Sequence, residues 1–174
     1  MLALIRELLG PYYLYIKFVH ILFVMIWATS TIVGYAYYLV PAFKAWRRNP
    51  ADPEVIVLRN WTMERFDHGV VYEHVAFPII LITGPLLYIV GNWNTGFNWL
   101  LLKILIVCVV AIPIEIADYY LSHFGGNKRR VRETGDMAAY EMAVQRHWMF
   151  FLVTSPPIMI SAVLVVFLAV TKPF

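Results

Sequence analysis

The chain has 174 residues, of which 61% are hydrophobic, 16% aromatic and only 14% charged. Soluble domains are closer to half apolar and about a quarter charged, so this composition excludes an ordinary soluble protein and predicts an integral membrane protein. The net charge of +3 does not indicate nucleic-acid binding, because the basic residues flank apolar runs. The length fits one domain, covering residues 1–174.

Four apolar runs are long enough to cross a bilayer as helices, which takes about 20 residues. These runs, spans 1 to 4, lie at about residues 12–40, 70–90, 98–121 and 147–171. The sequence therefore predicts an all-α polytopic membrane protein with four transmembrane helices in a bundle. Its lone cysteine, Cys108, excludes an intrachain disulfide, and no CxxCH motif for covalent haem is present.

Span 1 carries a stripe of small or polar residues on one helical face. His20, Trp27, Thr31 and Gly34 follow one another at spacings of 7, 4 and 3 residues, which places them on one side of a helix. An ionisable side chain in hydrocarbon is costly, so this side is expected to face the bundle. His20 there either fastens span 1 to a neighbouring helix or binds a cofactor.

The connection between spans 1 and 2 predicts an amphipathic helix on the cytoplasmic surface. Asp52 is the expected N-cap and Pro53 the first helical residue, with the helix running from Glu54 to His68 before Gly69 hinges it into span 2. Its expected membrane-facing side consists of Val55, Leu58, Trp61, Thr62 and Phe66.

The second half of the chain contains spans 3 and 4 and the second long connection. After a short uncharged turn at 91–98, Lys103 enters span 3 from the same side as His20, so the two residues can share a layer. Gly125 and Gly126 are expected to end span 3, and the chain is expected to resume a helix at Asp136 that leads into span 4.

Basic residues predict the orientation in the membrane. Ten Lys and Arg residues lie in the two long connections, 41–69 and 122–146, and very few lie at the other end of the spans. The positive-inside rule places both long connections in the cytoplasm and both termini outside. The expected location is the bacterial cytoplasmic (inner) membrane, with the lipid bilayer as the surrounding partner.

A second group of ionisable residues lies near the cytoplasmic ends of spans 2 to 4. His74, Glu115, Asp118 and His147 combine imidazole and carboxylate groups from several helices, as a transition-metal site requires. His20 is a further metal candidate. The alternative is a set of interfacial charges satisfied by water and headgroups, above all for His123 and His147.

Short motifs along the chain resemble one family of small membrane proteins. They are Lys17, His20, Ile21 and Trp27 in span 1, Met63-Glu64-Arg65 before span 2, Trp99-Leu100 with Lys103 in span 3, and the TKPF ending. This pattern is similar to that of the HemJ-type protoporphyrinogen IX oxidases and the copper-resistance D-like proteins. Ile114 stands where the family carries a histidine, so the chain resembles a divergent member.

The resemblance implies a four-span membrane protein that binds haem b or another porphyrin for redox or electron-relay chemistry, with membrane oxidoreductase activity of the HemJ type. It implies His20 and Lys103 as the porphyrin-side pair, with Trp27 packing on the macrocycle. Independently of the resemblance, the predicted depth in the membrane allows His74 to share a haem with His147 or His123, so His74 is a further candidate cofactor contact. Two alternatives stay open: a membrane protein that handles copper or iron, and a non-catalytic subunit of a homo-oligomer or larger membrane complex.

Overall fold

The chain is almost entirely helical in residues 1–93 and 98–173, which are the residues that the computed structural model describes, apart from the side chain of Thr31. No strand occurs in these two ranges. The helices are α1 (Leu2–Leu9), α2 (Tyr13–Val33), α3 (Val40–Arg48), α4 (Pro53–Gly69), α5 (Val71–Val90), α6 (Trp99–Ile106), α7 (Ile112–His123), α8 (Lys128–Glu133) and α9 (Met137–Thr171).

Several of these helices continue one another. A 3-10 turn at Gly10–Tyr12 and a π-helical turn at Gly34–Leu39 join α1, α2 and α3, and a second π-helical turn at Val107–Ala111 joins α6 to α7. Four helical stretches are long and apolar enough to cross a membrane, which confirms the four predicted spans. A π-helical turn changes the direction in which the following side chains point around the helix axis, and here the polar residues of α7 follow one.

The two ends of the bundle differ in what they contain. Arg6 donates from Nε to the carbonyl of Ile89 at 2.9 Å, and Lys172 lies 5.9 Å from the ring centre of Trp99. Both chain termini and the start of α6 therefore share one end, here called the terminal end. The opposite end, called the loop end, holds the connections at 49–52 and 124–136.

The hydrophobic core lies at the loop end, where α3, α4 and α9 meet. Phe43 stacks on Trp148 with ring centres 4.1 Å apart, and Phe66 meets Phe151 edge to face at 4.8 Å. The buried core residues are Leu39, Phe43, Met63, Phe66, Val70, Tyr140, Val144, Trp148 and Phe151. Elsewhere the bundle exposes large apolar side chains on its outside, as expected for helices that contact lipid.

The helix α4 begins as predicted. Asp52 accepts a hydrogen bond from the backbone N–H of Glu54 at 3.0 Å, and Pro53 is the first helical residue. The helix then ends at Gly69, where α5 takes over. These features are local, because an N-cap oxygen and a fixed proline φ act within one turn.

The predicted membrane-facing side of α4 is wrong at two positions. Thr62 and Phe66 are buried in the bundle, whereas Leu58 and Trp61 are 49% and 54% exposed. Phe66 lies against Gly34, where an added Cβ would come within 2.9 Å of the ring. Because α4 packs against both α3 and α8 as well as the core, two of its faces are covered rather than one.

The second connection folds back on the bundle. Span 3 ends at His123 as the glycine pair predicts, but the basic stretch that follows forms α8. At Gly126 an added Cβ would lie 2.7 Å from backbone atoms of Leu121, so the tight reversal requires glycine there. This reversal directs the first residue of α8, Lys128, into the bundle, where it is fully buried.

Candidate functional site

The first polar cluster lies on α2 and α5 toward the terminal end. His20 is half-buried, and its Nδ1 lies 2.8 Å from Oγ1 of Thr83. The Thr83 hydroxyl donates to the carbonyl of Ile79 at 2.7 Å, so it accepts from Nδ1–H of His20. This hydrogen bond fixes the tautomer and places the ring's lone pair on Nε2.

One lysine lies near this histidine, and two more lie near that lysine. Lys103 lies close enough to His20 to act on it electrostatically, and Lys17 and Lys172 act on Lys103 in the same way. The ammonium of Lys103 also lies 4.8 Å from the ring centre of Trp99. His20, Thr83 and these three lysines are called the terminal-end cluster below. The cluster is a region of positive potential beside one imidazole.

Trp27 belongs to the interface between α2 and α7. Its indole N–H donates to Oε1 of Glu115 at 2.7 Å, and its ring lies 5.9 Å from that of Phe77. His20 bonds to Thr83 and Gly34 lies against Phe66, so these two residues of the span 1 stripe face the bundle, as Trp27 does. The indole N–H of Trp27 therefore points toward the second polar cluster.

The second cluster is a chain of hydrogen bonds and ion pairs across five helices at the loop end, called the loop-end network below. Asp67 of α4 accepts from Nζ of Lys128 at 2.8 Å, and Lys128 in turn contacts Nδ1 of His147. Nε2 of His147 lies 2.7 Å from Oδ1 of Asp118, whose Oδ2 lies 3.2 Å from Nε2 of His74. The last link joins Nδ1 of His74 to Nε2 of His123 at 2.7 Å. The members are Asp67, Lys128, His147, Asp118, His74 and His123.

Lys128 fixes the direction of the hydrogen bonds around it. Its ammonium group has three donors and no acceptor, and it contacts Asp67, the carbonyl of Leu121 at 3.1 Å and His147. Nδ1 of His147 is therefore an acceptor, and Nε2–H of the same ring donates to Asp118. The backbone N–H of Lys128 also donates to Asp67, at 3.0 Å, so both oxygens of that carboxylate are held.

Two more carboxyl groups lie beside the network. Glu115 and Glu73 are 6% and 4% exposed, and their side chains hydrogen-bond to each other. Asp118 and His74 are electrostatic neighbours of Glu115. Buried ionisable groups at this density in a membrane bundle are costly and are typical of ion or proton pathways rather than of packing alone.

The structure places the predicted metal candidates in two groups. His74, Asp118 and His147 lie together in the loop-end network with Glu115 beside them, whereas His20 lies in the terminal-end cluster. Both ring nitrogens of His147 are already engaged by Lys128 and Asp118. Across residues 1–93 and 98–173, no group of three or more His, Cys, Asp or Glu residues is arranged to hold a metal ion.

The interfacial alternative fits one histidine and not the other. His147 is fully buried because α8 folds over it, so the expectation of a headgroup position is wrong for this residue. His123 is half-exposed at the end of α7. Its Nε2 lies 2.7 Å from Nδ1 of His74, so His123 is the one of the two predicted histidine partners of His74 that contacts it.

Sequence reasoning missed three residues of these clusters: Asp67, Lys128 and Thr83. Asp67 and Lys128 lie in stretches that read as surface helix and basic loop, and they are 61 positions apart. Thr83 could have been noticed in the sequence, because it places a hydroxyl group beside Gly84 within apolar span 2. Nothing in the sequence signals the pairing of Asp67 with Lys128, since it depends on the reversal at Gly126.

Comparison with known proteins gave no match. No family model matches the chain, and neither a curated protein nor a solved structure matches it.

Proposed function

We propose that this chain is a four-span protein of the bacterial cytoplasmic membrane that binds haem b or another tetrapyrrole at the terminal-end cluster, for redox or electron-relay chemistry. The observation that carries the proposal is the hydrogen bond from Nδ1 of His20 to Thr83. Histidines that ligate metals commonly donate their other ring N–H to a fixed acceptor, which orients the ring and leaves the ligating nitrogen free. His20 is held in this way.

The chemistry of the surrounding residues fits such a group. Tetrapyrroles such as haem b carry carboxylate side chains, and Lys103 provides positive charge beside His20, with Lys17 and Lys172 near Lys103. His20 would supply a nitrogen ligand, and Lys103 would pair with a carboxylate of the tetrapyrrole. A bound haem supplies one-electron chemistry, with a potential set by its axial ligand and surroundings. The other four histidines of the chain lie toward the loop end of the bundle, and they are His68, His74, His123 and His147. His20 would therefore be the only histidine of one chain to ligate the group.

The spectrum of the purified protein tests this proposal. Protein from haem-replete cells is expected to show a Soret band that is lost in His20→Ala and retained in His68→Ala, since His68 is exposed on α4. Thr83→Val is expected to weaken ligand retention about 10- to 100-fold, because the ring loses its orienting acceptor. Absence of a Soret band in the parent protein, or an unchanged band in His20→Ala, would refute the proposal. Elemental analysis of the same samples reports whether iron or copper is present instead.

The proposed orientation has its own test. Ten basic residues in the long connections favour a cytoplasmic loop end. In a Cys108→Ser background, a membrane-impermeant thiol reagent added to intact cells is expected to label Leu2→Cys and not Arg129→Cys. Both positions should react once the membrane is permeabilised. Labelling of Arg129→Cys in intact cells would contradict the proposed orientation.

A further inference from the structure

A groove on the outside of the bundle separates α4 from the end of α2, and we propose that it binds one anionic phospholipid. The phosphate of the headgroup pairs with Arg65, and an acyl chain lies along the apolar floor. This α2–α4 groove has a volume of about 460 Å³, and its lining includes Val33, Gly34, Arg65, Phe66, Gly69 and Val70. None of the lining residues belongs to the terminal-end cluster, so the proposal does not depend on a tetrapyrrole at His20.

Glycines on the two facing helices give the groove its space. Gly34 lies against the ring of Phe66, which brings the two helices together at the floor. A Cβ added at Gly69 would meet nothing within 4 Å, so the space beside this residue is open. Val33 and Val70 extend the lining with apolar side chains. A hydrocarbon chain fits such a floor, whereas a polar group placed there would lose its hydrogen bonds.

Two hydroxyl groups in the lining donate within their own helices. Ser30 donates to the carbonyl of Trp27 at 3.0 Å, and Thr62 donates to that of Leu58 at 2.8 Å. A hydroxyl has one hydrogen to donate, so neither group is free to donate to a bound phosphate. The charge of the groove comes from Arg65, which is the one charged side chain among the described lining residues.

Arg65 has the charge and the exposure that an anionic headgroup requires. Its side chain is exposed, and its guanidinium lies 5.5 Å from the ring centre of Trp61. The adjacent carboxylate, Glu64, is held by Arg132. Across residues 1–93 and 98–173, the lysines and arginines that form ion pairs are Arg59, Lys128, Arg129 and Arg132. A guanidinium can bind a phosphate through two parallel hydrogen bonds, so a headgroup phosphate would supply Arg65 with a counterion.

The groove lies at the level where lipid headgroups begin. Gly34 follows the 21 residues of α2, which span about 30 Å at the rise of an α-helix, as the hydrocarbon core does. Trp61 and Tyr38 also line the groove and are 54% and 60% exposed. Exposed Trp and Tyr side chains are typical of the boundary between hydrocarbon and headgroups. A lipid with its phosphate on Arg65 would therefore extend an acyl chain past Val33 toward the terminal end.

Native mass spectrometry of the full chain, released from detergent micelles, measures the occupant. Phosphatidylglycerol and phosphatidylcholine with the same acyl chains are titrated separately. The first phosphatidylglycerol is expected to bind about 10-fold more tightly, because the phosphate of phosphatidylcholine is already neutralised by its own ammonium group. Equal affinity for the two lipids would refute the proposal. A dimer that forms without added lipid and binds none would refute it too, since a second copy of the chain would then cover the groove.

Three variants locate the bound lipid. Arg65→Gln is expected to weaken phosphatidylglycerol binding about 10-fold, to the level of phosphatidylcholine. Arg47→Gln is the matched control that should bind as the parent protein does, because Arg47 also lies over an indole ring, that of Trp148 at 5.9 Å, but outside the groove.

Gly69→Leu fills the open space of the floor and is expected to weaken both lipids about 10-fold, whereas Arg65→Gln affects the anionic lipid alone. The proposal is overturned if Arg65→Gln binds phosphatidylglycerol as the parent does, if Arg47→Gln weakens it equally, or if Gly69→Leu binds both lipids with the parent affinity.

Discussion

Replacing Lys128 by methionine tests the loop-end network most directly. The residue is fully buried, and its ammonium group contacts Asp67, His147 and the carbonyl of Leu121. Methionine fills a similar volume without a charge, so the substitution removes these contacts with little change in packing. It leaves the carboxylate of Asp67 buried, with the backbone N–H of residue 128 and, 3.5 Å away, Nδ1 of His147 as its remaining neighbours.

The size of the effect follows from that uncompensated charge. Breaking a buried ion pair by removing one partner costs about 3–5 kcal/mol, and each hydrogen bond to a charged group contributes about 1.5–3 kcal/mol. Lys128→Met is therefore expected to lower the free energy of unfolding by about 3–5 kcal/mol. Adding Asp67→Asn removes the buried charge and should recover at least half of that loss, with a coupling energy of about 2–3 kcal/mol between the two positions.

Unfolding in mixed micelles of rising SDS content, followed by helix content, measures these differences. Arg129→Met is the control, since Arg129 is 75% exposed and its pair with Glu133 spans one helical turn at the surface. Little change is expected in that variant. A Lys128→Met protein as stable as the parent, or a double variant no more stable than Lys128→Met alone, would show that the Asp67–Lys128 pair does not hold α8 on the bundle.

Two further substitutions test how span 1 packs on the bundle. Gly34→Ala places a Cβ 2.9 Å from the ring of Phe66 and is expected to cost about 1–3 kcal/mol in the same assay, whereas Gly69→Ala, with nothing within 4 Å, should cost less than half as much. Equal losses in the two variants would contradict the contact. Trp27→Phe removes the 2.7 Å hydrogen bond to Glu115 and is expected to cost about 1.5–3 kcal/mol. No loss of stability would mean that this bond does not fasten α2 to α7.

The proposed phospholipid site and the proposed tetrapyrrole site lie toward different ends of the bundle. Trp27 lies between them on the span 1 stripe, since His20 precedes it and Gly34 follows it. The His20→Ala and Arg65→Gln variants separate the proposals, because each alters one site and leaves the residues of the other in place.

The sequence by itself determined the features that depend on local chemistry. The apolar runs predicted four spans, because crossing hydrocarbon requires about 20 apolar helical residues regardless of what packs beside them. Asp52 and Asp136 predicted helix starts, and each accepts a backbone N–H of the turn that follows it. Helical spacing also placed His20 and Trp27 on the side of span 1 that faces the bundle.

Only the tertiary structure decided which polar residues meet. His20 pairs with Thr83 across 63 positions of sequence, and Asp67 pairs with Lys128 across 61. The burial of His147 likewise follows from α8 folding over it, which requires the close reversal at Gly126. A periodic sequence pattern shows which side of a helix faces the bundle. It does not show which helix packs against that side, or how that second helix is rotated about its axis. The partners of buried charges therefore become visible only when the helices are packed.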